Sequence, residues 1–238
     1  MELRTIQFST SDQPAAATEC GCLIIAAHAQ QPIADQWADL DEATNGLLTR
    51  LADADELPRG AGKTLMVHEP PGLAARRLLV VGLGKPEKFS DAVFVKAARA
   101  AGKALRHSRA TDALCLLAET DLSGRSTAWK VRQVALALDH GDYVYDATKK
   151  PDAGAPPATE SVHFPEASGT EEALRQAAAI ARGIRRARLL GDLPPNICTP
   201  AYMAEIAEGI AAEIDGLEVD VLEEDEMRQL GMQSLLAV

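Results

Sequence analysis

Aromatic side chains are scarce, at 4% of the 238 residues. Alanine, leucine, valine and isoleucine must therefore fill the interior, and hydrophobic residues in total reach 47%. A surplus of positive charge is also missing. Lys and Arg number 24 against 35 Asp and Glu, for a net charge of −11. Such a chain repels phosphate backbones at long range, which weighs against bulk nucleic-acid binding. The opening Met1-Glu2-Leu3-Arg4 lacks the basic start and apolar run of a secretory signal. No stretch approaches the roughly 18 apolar residues needed to span a bilayer. The cytoplasm is the expected compartment, without membrane association.

Signatures of chemistry are absent as well. No His-x-x-x-His pair links His28, His68, His107, His140 or His163, so each reads as a strand-end or surface histidine rather than a metal ligand. There is no Gly-x-Ser-x-Gly, and no cysteine has a histidine close by in sequence. The cysteines are Cys20, Cys22, Cys115 and Cys198. Cys20-x-Cys22 has no second Cys/His pair at zinc spacing and leads into Leu23-Ile24-Ile25-Ala26, so it reads as reduced and buried. No internal repeat or low-complexity tract is present.

What the chain does contain is an alternation of short apolar runs and helical patterns. Strands are expected over 23–27, 64–68, 77–83, 114–117 and 161–164. The run Leu78-Leu79-Val80-Val81 suits a strand covered on both faces. Helices are expected from Ser90, with Phe94, Ala97, Ala101 and Leu105 on one stripe, and over 127–139, with Val131, Val134 and Leu138 inward. This alternation indicates an α/β layered domain with a largely parallel or mixed sheet. A loop rich in proline follows over 148–159. Ser168-Gly169-Thr170-Glu171 then fits a capping box opening a long helix with Ala177, Ile180, Ile184 and Ala187 as its apolar stripe. Arg182, Arg185, Arg186 and Arg188 crowd its C-terminal half and read as a solvated or intersubunit face. Beyond Pro200 a helix over 201–214, a strand over 217–222 and a helix over 223–230 are expected. Ser234–Val238 reads as the opening of an apolar strand, which hints at truncation.

Two local motifs invite functional readings. Val80-Val81-Gly82-Leu83-Gly84-Lys85 sits between a strand and a helix, where glycines allow a phosphate to approach. Position 87 is Glu where the dinucleotide fingerprint needs Gly, and Pro86 follows Lys85 where a P-loop needs Ser or Thr, so a tight turn is the favoured reading. Glu223-Glu224-Asp225-Glu226 offers four carboxylates. Consecutive acids at a helix start point apart, and the helix dipole explains them better than a metal does.

Three stretches together resemble the cytosolic leucyl aminopeptidase family. They are the region from Leu40-Asp41 through Gly60-Ala61-Gly62-Lys63 to Lys85, then Gly141-Asp142-Tyr143-Val144-Tyr145-Asp146, and then Gly191-Asp192-Leu193-Pro194-Pro195-Asn196-Ile197-Cys198-Thr199-Pro200, followed by Leu230-Gly231-Met232-Gln233-Ser234-Leu235-Leu236-Ala237-Val238. The resemblance implies an N-terminal macro-domain-like α/β domain over 1–166, a linker helix over 167–193 and the incomplete start of a peptidase domain over 194–238. It implies a homohexameric exopeptidase that releases N-terminal residues, leucine above all, from peptides. Two divalent cations, Mn or Zn, would activate a water and polarise the scissile carbonyl. The family's catalytic and metal-binding residues are expected after Val238, so no catalytic, cofactor-binding or metal residue is assigned within this chain, and the fragment is expected to be inactive without cofactor. Pro194-Pro195-Asn196 reads as structural, with proline fixing how the helix delivers the chain onward. Two other readings of the fragment are an ADP-ribose- or nucleotide-binding macro-like module and an accessory DNA-binding protein.

Overall fold

Side-chain alternation along two central strands divides the interior into two layers. On β2 (Cys22–His28), Cys22, Ile24 and Ala26 face one side, while Leu23, Ile25 and Ala27 face the other. On β4 (Arg77–Gly84), Leu79, Val81 and Leu83 join the first set, and Leu78 and Val80 join the second. Both strands are apolar throughout because both of their faces are covered. The structure is a computed structural model and describes residues 4–150 and 154–237.

Four more strands complete the sheet: β1 (Gln7–Ser11), β3 (Thr64–His68), β5 (Asp112–Cys115) and β6 (Ser161–Pro165). Their order is β1-β6-β5-β2-β4-β3. All neighbours run parallel except β3, which is antiparallel to β4 at the edge. This is the expected mixed α/β architecture. Long helices α4 (Asp91–Ser108) and α5 (Thr127–Asp142) cover one face, together with part of α6 (Thr170–Asp192). Short helices α1 (Ile33–Gln36), α2 (Ala38–Ala43) and α3 (Leu47–Asp53) cover the other. There the Trp37 indole donates to the Ala26 carbonyl at 2.7 Å, tying α1 and α2 to β2.

Residues Met1–Arg188 form one compact unit and Leu189–Val238 a second. The second contains α7 (Pro200–Glu213) and α8 (Glu224–Gln229). At the start of α7, the Thr199 hydroxyl accepts from the Tyr202 amide at 3.2 Å with Pro200 in the first turn. The preceding Pro194–Cys198 stretch is a turn closed by Ile197 and Cys198 amides on the Pro194 carbonyl.

Several local expectations need correction. No strand forms over 217–222, nor over the described residues 234–237, which turn instead. A strand needs a partner for its backbone groups, and none is offered there among the described residues. The strand expected over 114–117 occupies Asp112–Cys115. Leu116 leaves the ladder and Leu117–Glu119 coils into a 3-10 turn while remaining apolar and inward. β1 was not anticipated, because Gln-Phe-Ser-Thr-Ser is a polar edge strand with little apolar signal. Helix α4 starts after Ser90 without a side-chain cap from it. Helix α6 begins at Thr170 behind Gly169, one residue too late for Ser168 to cap it.

The glycine turn after β4 has a packing role. A Cβ on Gly82 would lie 2.4 Å from the Gly60 carbonyl oxygen and 2.5 Å from that of Pro58. The Gly82 amide donates to Lys63, and its carbonyl accepts from Gly62, each at 2.8 Å. These glycines admit a neighbouring backbone where a phosphate-binding loop would admit a ligand. Gly82→Ala is therefore expected to destabilise the chain by about 1–3 kcal/mol, read as a lower urea midpoint. An unchanged midpoint would show that the 58–63 loop yields freely.

Candidate functional site

The most highly built polar cluster lies where α5 meets α6. Asp139 and Asp142 sit one turn apart on α5, and Arg185 faces them from α6; all three are buried. Arg185 Nε donates to Asp139 Oδ2 at 2.8 Å and to Oδ1 at 3.0 Å. Its Nη2 donates to Asp142 Oδ2 at 3.3 Å and to the Asp139 carbonyl at 3.1 Å. Each carboxylate also accepts a backbone amide. The Ile6 amide, ahead of β1, donates to Asp139 Oδ1 at 3.3 Å, and the Thr159 amide, ahead of β6, donates to Asp142 Oδ1 at 2.9 Å. Arg106 of α4 adds a second guanidinium 3.8 Å from Asp142 Oδ1. Arg188, one turn beyond Arg185, stacks on Tyr143 with its guanidinium carbon 3.9 Å from the ring centroid.

The cluster thus joins β1, the approach to β6, α4, α5 and α6. Burying one ion costs several kcal/mol unless a partner and hydrogen bonds offset it, and here both do. Helix α5 approaches α4 backbone to backbone: a Cβ on Gly141 would lie 2.6 Å from the Gly102 carbonyl carbon. The Gly141-Asp142-Tyr143 stretch therefore serves helix crossing, charge pairing and arginine stacking in three successive residues.

Two sequence expectations change here. Arg185 does not belong to a solvated face: it is 6% exposed. The buried ridge of α6 is Ala173, Ala177, Ala181 and Arg185, with Leu174, while Ile180 and Ile184 are 44% and 42% exposed. Four-residue spacing places Arg185 in line with the alanines, so one helical ridge carries both the apolar contact and the charge. The missed signal was a pair of aspartates continuing the apolar stripe of α5 past Leu138. A polar residue on an inward face is the informative one.

A second feature is a cleft of about 660 Å³ at the C-terminal ends of β2, β4 and β5, lined among others by His28, Phe89, Ser90, Asp91, Thr120 and Asp121. Crevices in α/β sheets form at such strand ends. Burial holds the His28 imidazole below its ordinary pKa. Its Nδ1 donates to the Gly84 carbonyl at 3.4 Å, and its ring meets Phe89 edge-on at 4.8 Å. Arg125 donates to both Asp91 oxygens, holding that carboxyl below the usual carboxylate range. A half-buried histidine and an arginine-paired carboxylate give the cleft its polarity.

Among the described residues, no three His, Cys, Asp or Glu side chains come together as a metal site. Glu223 and Glu226 form a capping box with the backbone of α8, while Glu224 and Asp225 pair with Arg228. All four cysteines are free, and Cys20, Cys22 and Cys115 are buried. Burial pushes the Cys115 thiol up to about 12 and also raises Cys20 and Cys22. The histidines are apart: His163 Nδ1 meets the Ser9 hydroxyl at 2.8 Å, and His140 contacts Arg188. No described helix is long and apolar enough to cross a membrane.

A mostly parallel six-stranded sheet, crossed on one face by a long helix that runs on into a second unit, defines a class of two-part α/β proteins. Residues 24–152 match the profile of the cytosol aminopeptidase family, N-terminal domain, and residues 185–238 match that of its catalytic domain. The chain belongs to the cytosol aminopeptidase family. A probable cytosol aminopeptidase of Stenotrophomonas maltophilia (strain K279a) is 42% identical over 94% of this chain and 45% of its own length. Another, from Xanthomonas campestris pv. campestris (strain B100), is 38% identical over 98% of this chain and 47% of its own. The chain spans about half the length of the curated relatives it matches. The fold is that of a tomato leucine aminopeptidase mutant, with a TM-score of 0.76 at 22% identity over 97% of this chain and 47% of that one. The bottromycin maturation enzyme BotP aligns with a TM-score of 0.70 at 25% identity, covering 92% of this chain and 43% of that chain. These names lend no support to an ADP-ribose or DNA reading.

Removing the shared cation should expose its importance. Arg185→Met is expected to cost about 3–5 kcal/mol, because two buried carboxylates lose their partner. Arg182→Met, at an exposed position on the same helix, should stay within about 0.5 kcal/mol of the unchanged chain. Urea unfolding measures both, and equal midpoints for the two variants would contradict the assigned role of the cluster.

Proposed function

We propose that this chain is the N-terminal half of a leucyl-type metallo-aminopeptidase, and that the second half supplies the chemistry. In this reading residues 1–166 form the N-terminal domain, 167–193 the linker helix, and 194–238 the entry into the catalytic domain. The observation that carries it is the succession of the two family profiles, N-terminal domain then catalytic domain, with the second beginning inside α6. The burial pattern supports it: none of the described residues 189–237 is buried, and Leu230 is 64% exposed. A segment without an interior contributes little hydrophobic stabilisation by itself.

The whole polypeptide would remove N-terminal residues, preferably leucine, from peptides in the cytoplasm, and would assemble as a homohexamer. Two divalent cations, manganese or zinc, would be held there by residues beyond Val238; the carboxylates described here do not fit that task. One solved relative, BotP, is a complex with Mn, which accords with a divalent cation in the family. The described residues contribute the scaffold, with α6 held to the N-terminal core by Arg185.

The purified 238-residue chain, supplied with manganese, should release no leucine from a leucyl chromogenic substrate. Release above the buffer rate that scales with chain concentration would overturn the assignment of chemistry to the second half.

A further inference from the structure

Helix α6 carries a second ridge beside its buried one. Ile180 and Ile184 lie three residues after Ala177 and Ala181, so they form a parallel ridge immediately alongside. Both isoleucines are substantially exposed. Next to them, Ala179, Gly183 and Ala187 repeat at the same four-residue interval, a row of small exposed residues that ridge-and-groove packing would treat as a groove. A Cβ on Gly183 would meet nothing within 4 Å. Glycine is the poorest helix former after proline, and no contact among the described residues explains its place in the middle of a 23-residue helix. An apolar ridge beside a groove of small residues is the surface that a crossing helix fits.

We infer that the Ile180/Ile184 ridge and the Ala179/Gly183/Ala187 groove receive a helix from the catalytic half of the family polypeptide. Three observations select that occupant over others. The catalytic-domain profile begins at residue 185, within this helix. The relatives are about twice as long as this chain. Two copies of this chain would each carry a net charge of −11 and repel at long range. This inference rests on the proposed two-half aminopeptidase.

The test compares labelling of Ile184→Cys by a maleimide in two settings, both in a Cys198→Ser background. One is the 238-residue chain alone. The other is a chimera in which this chain continues into the part of the Stenotrophomonas maltophilia relative that follows its match. Labelling should be rapid in the chain alone and at least tenfold slower in the chimera, while Arg182→Cys reacts equally in both. Adding Gly183→Leu should leave the chain's own thermal midpoint undiminished yet restore rapid labelling of Ile184→Cys in the chimera. Equal labelling in chain and chimera overturns the inference, whether the second half is misplaced or never docks. Concentration-dependent protection in the chain alone also overturns it, by assigning the face to a second copy. Leucine release by the chimera is measured separately. Protection without activity would sink the peptidase reading and leave the docking surface standing.

Discussion

One guanidinium shared by two carboxylates sets the geometry of this molecule. Burying Asp139, Asp142 or Arg185 alone would be costly, and their ion pairs offset that cost. Each therefore demands the other, and the demand fixes α6 against α5. The same carboxylates accept amides from the starts of β1 and of the β6 approach, so the edge of the sheet is placed by the same charges. Apolar contact alone would tolerate a slide of α6 by a fraction of a turn. Directional hydrogen bonds to two fixed oxygens restrict it.

The two compact units differ physically. The first holds a three-layer core in which β2, β4 and β5 are covered on both faces. In the second, the described residues 189–237 form helices and turns without burying a side chain. The first region has the interior of a finished domain. The second leaves apolar side chains such as Leu230 and Leu235 exposed.

Much of the fold was legible in the sequence. The apolar run at Leu78–Val81 and the stripe Phe94, Ala97, Ala101 and Leu105 both occupy the positions their periodicity required. Signals failed where a neighbour decided the outcome. β1 exists because β6 offers it a partner, although its own residues are mostly polar. Residues 217–222 have strand-like residues and no partner among the described residues. The ridge of α6 is hard to read because isoleucine outranks alanine in any count of hydrophobicity, whereas the buried alanines lie in line with Arg185, whose long side chain reaches α5. The junction was partly hidden for the same reason: arginines in the last turns of a helix usually face water, and only the aspartates on the inward face of α5 reveal that one of them does not.

The dependence of α6 on its charged anchor is tested most directly by native-state hydrogen exchange. If the Asp139–Arg185–Asp142 cluster holds this helix to the core, the amides of residues 174–186 should exchange through the same large opening as those of β2 and β4, while those of 200–213 exchange far faster. Exchange of α6 at the pace of α7 would contradict that claim, because it would mean that the helix frays freely and its buried ion pairs hold nothing in place.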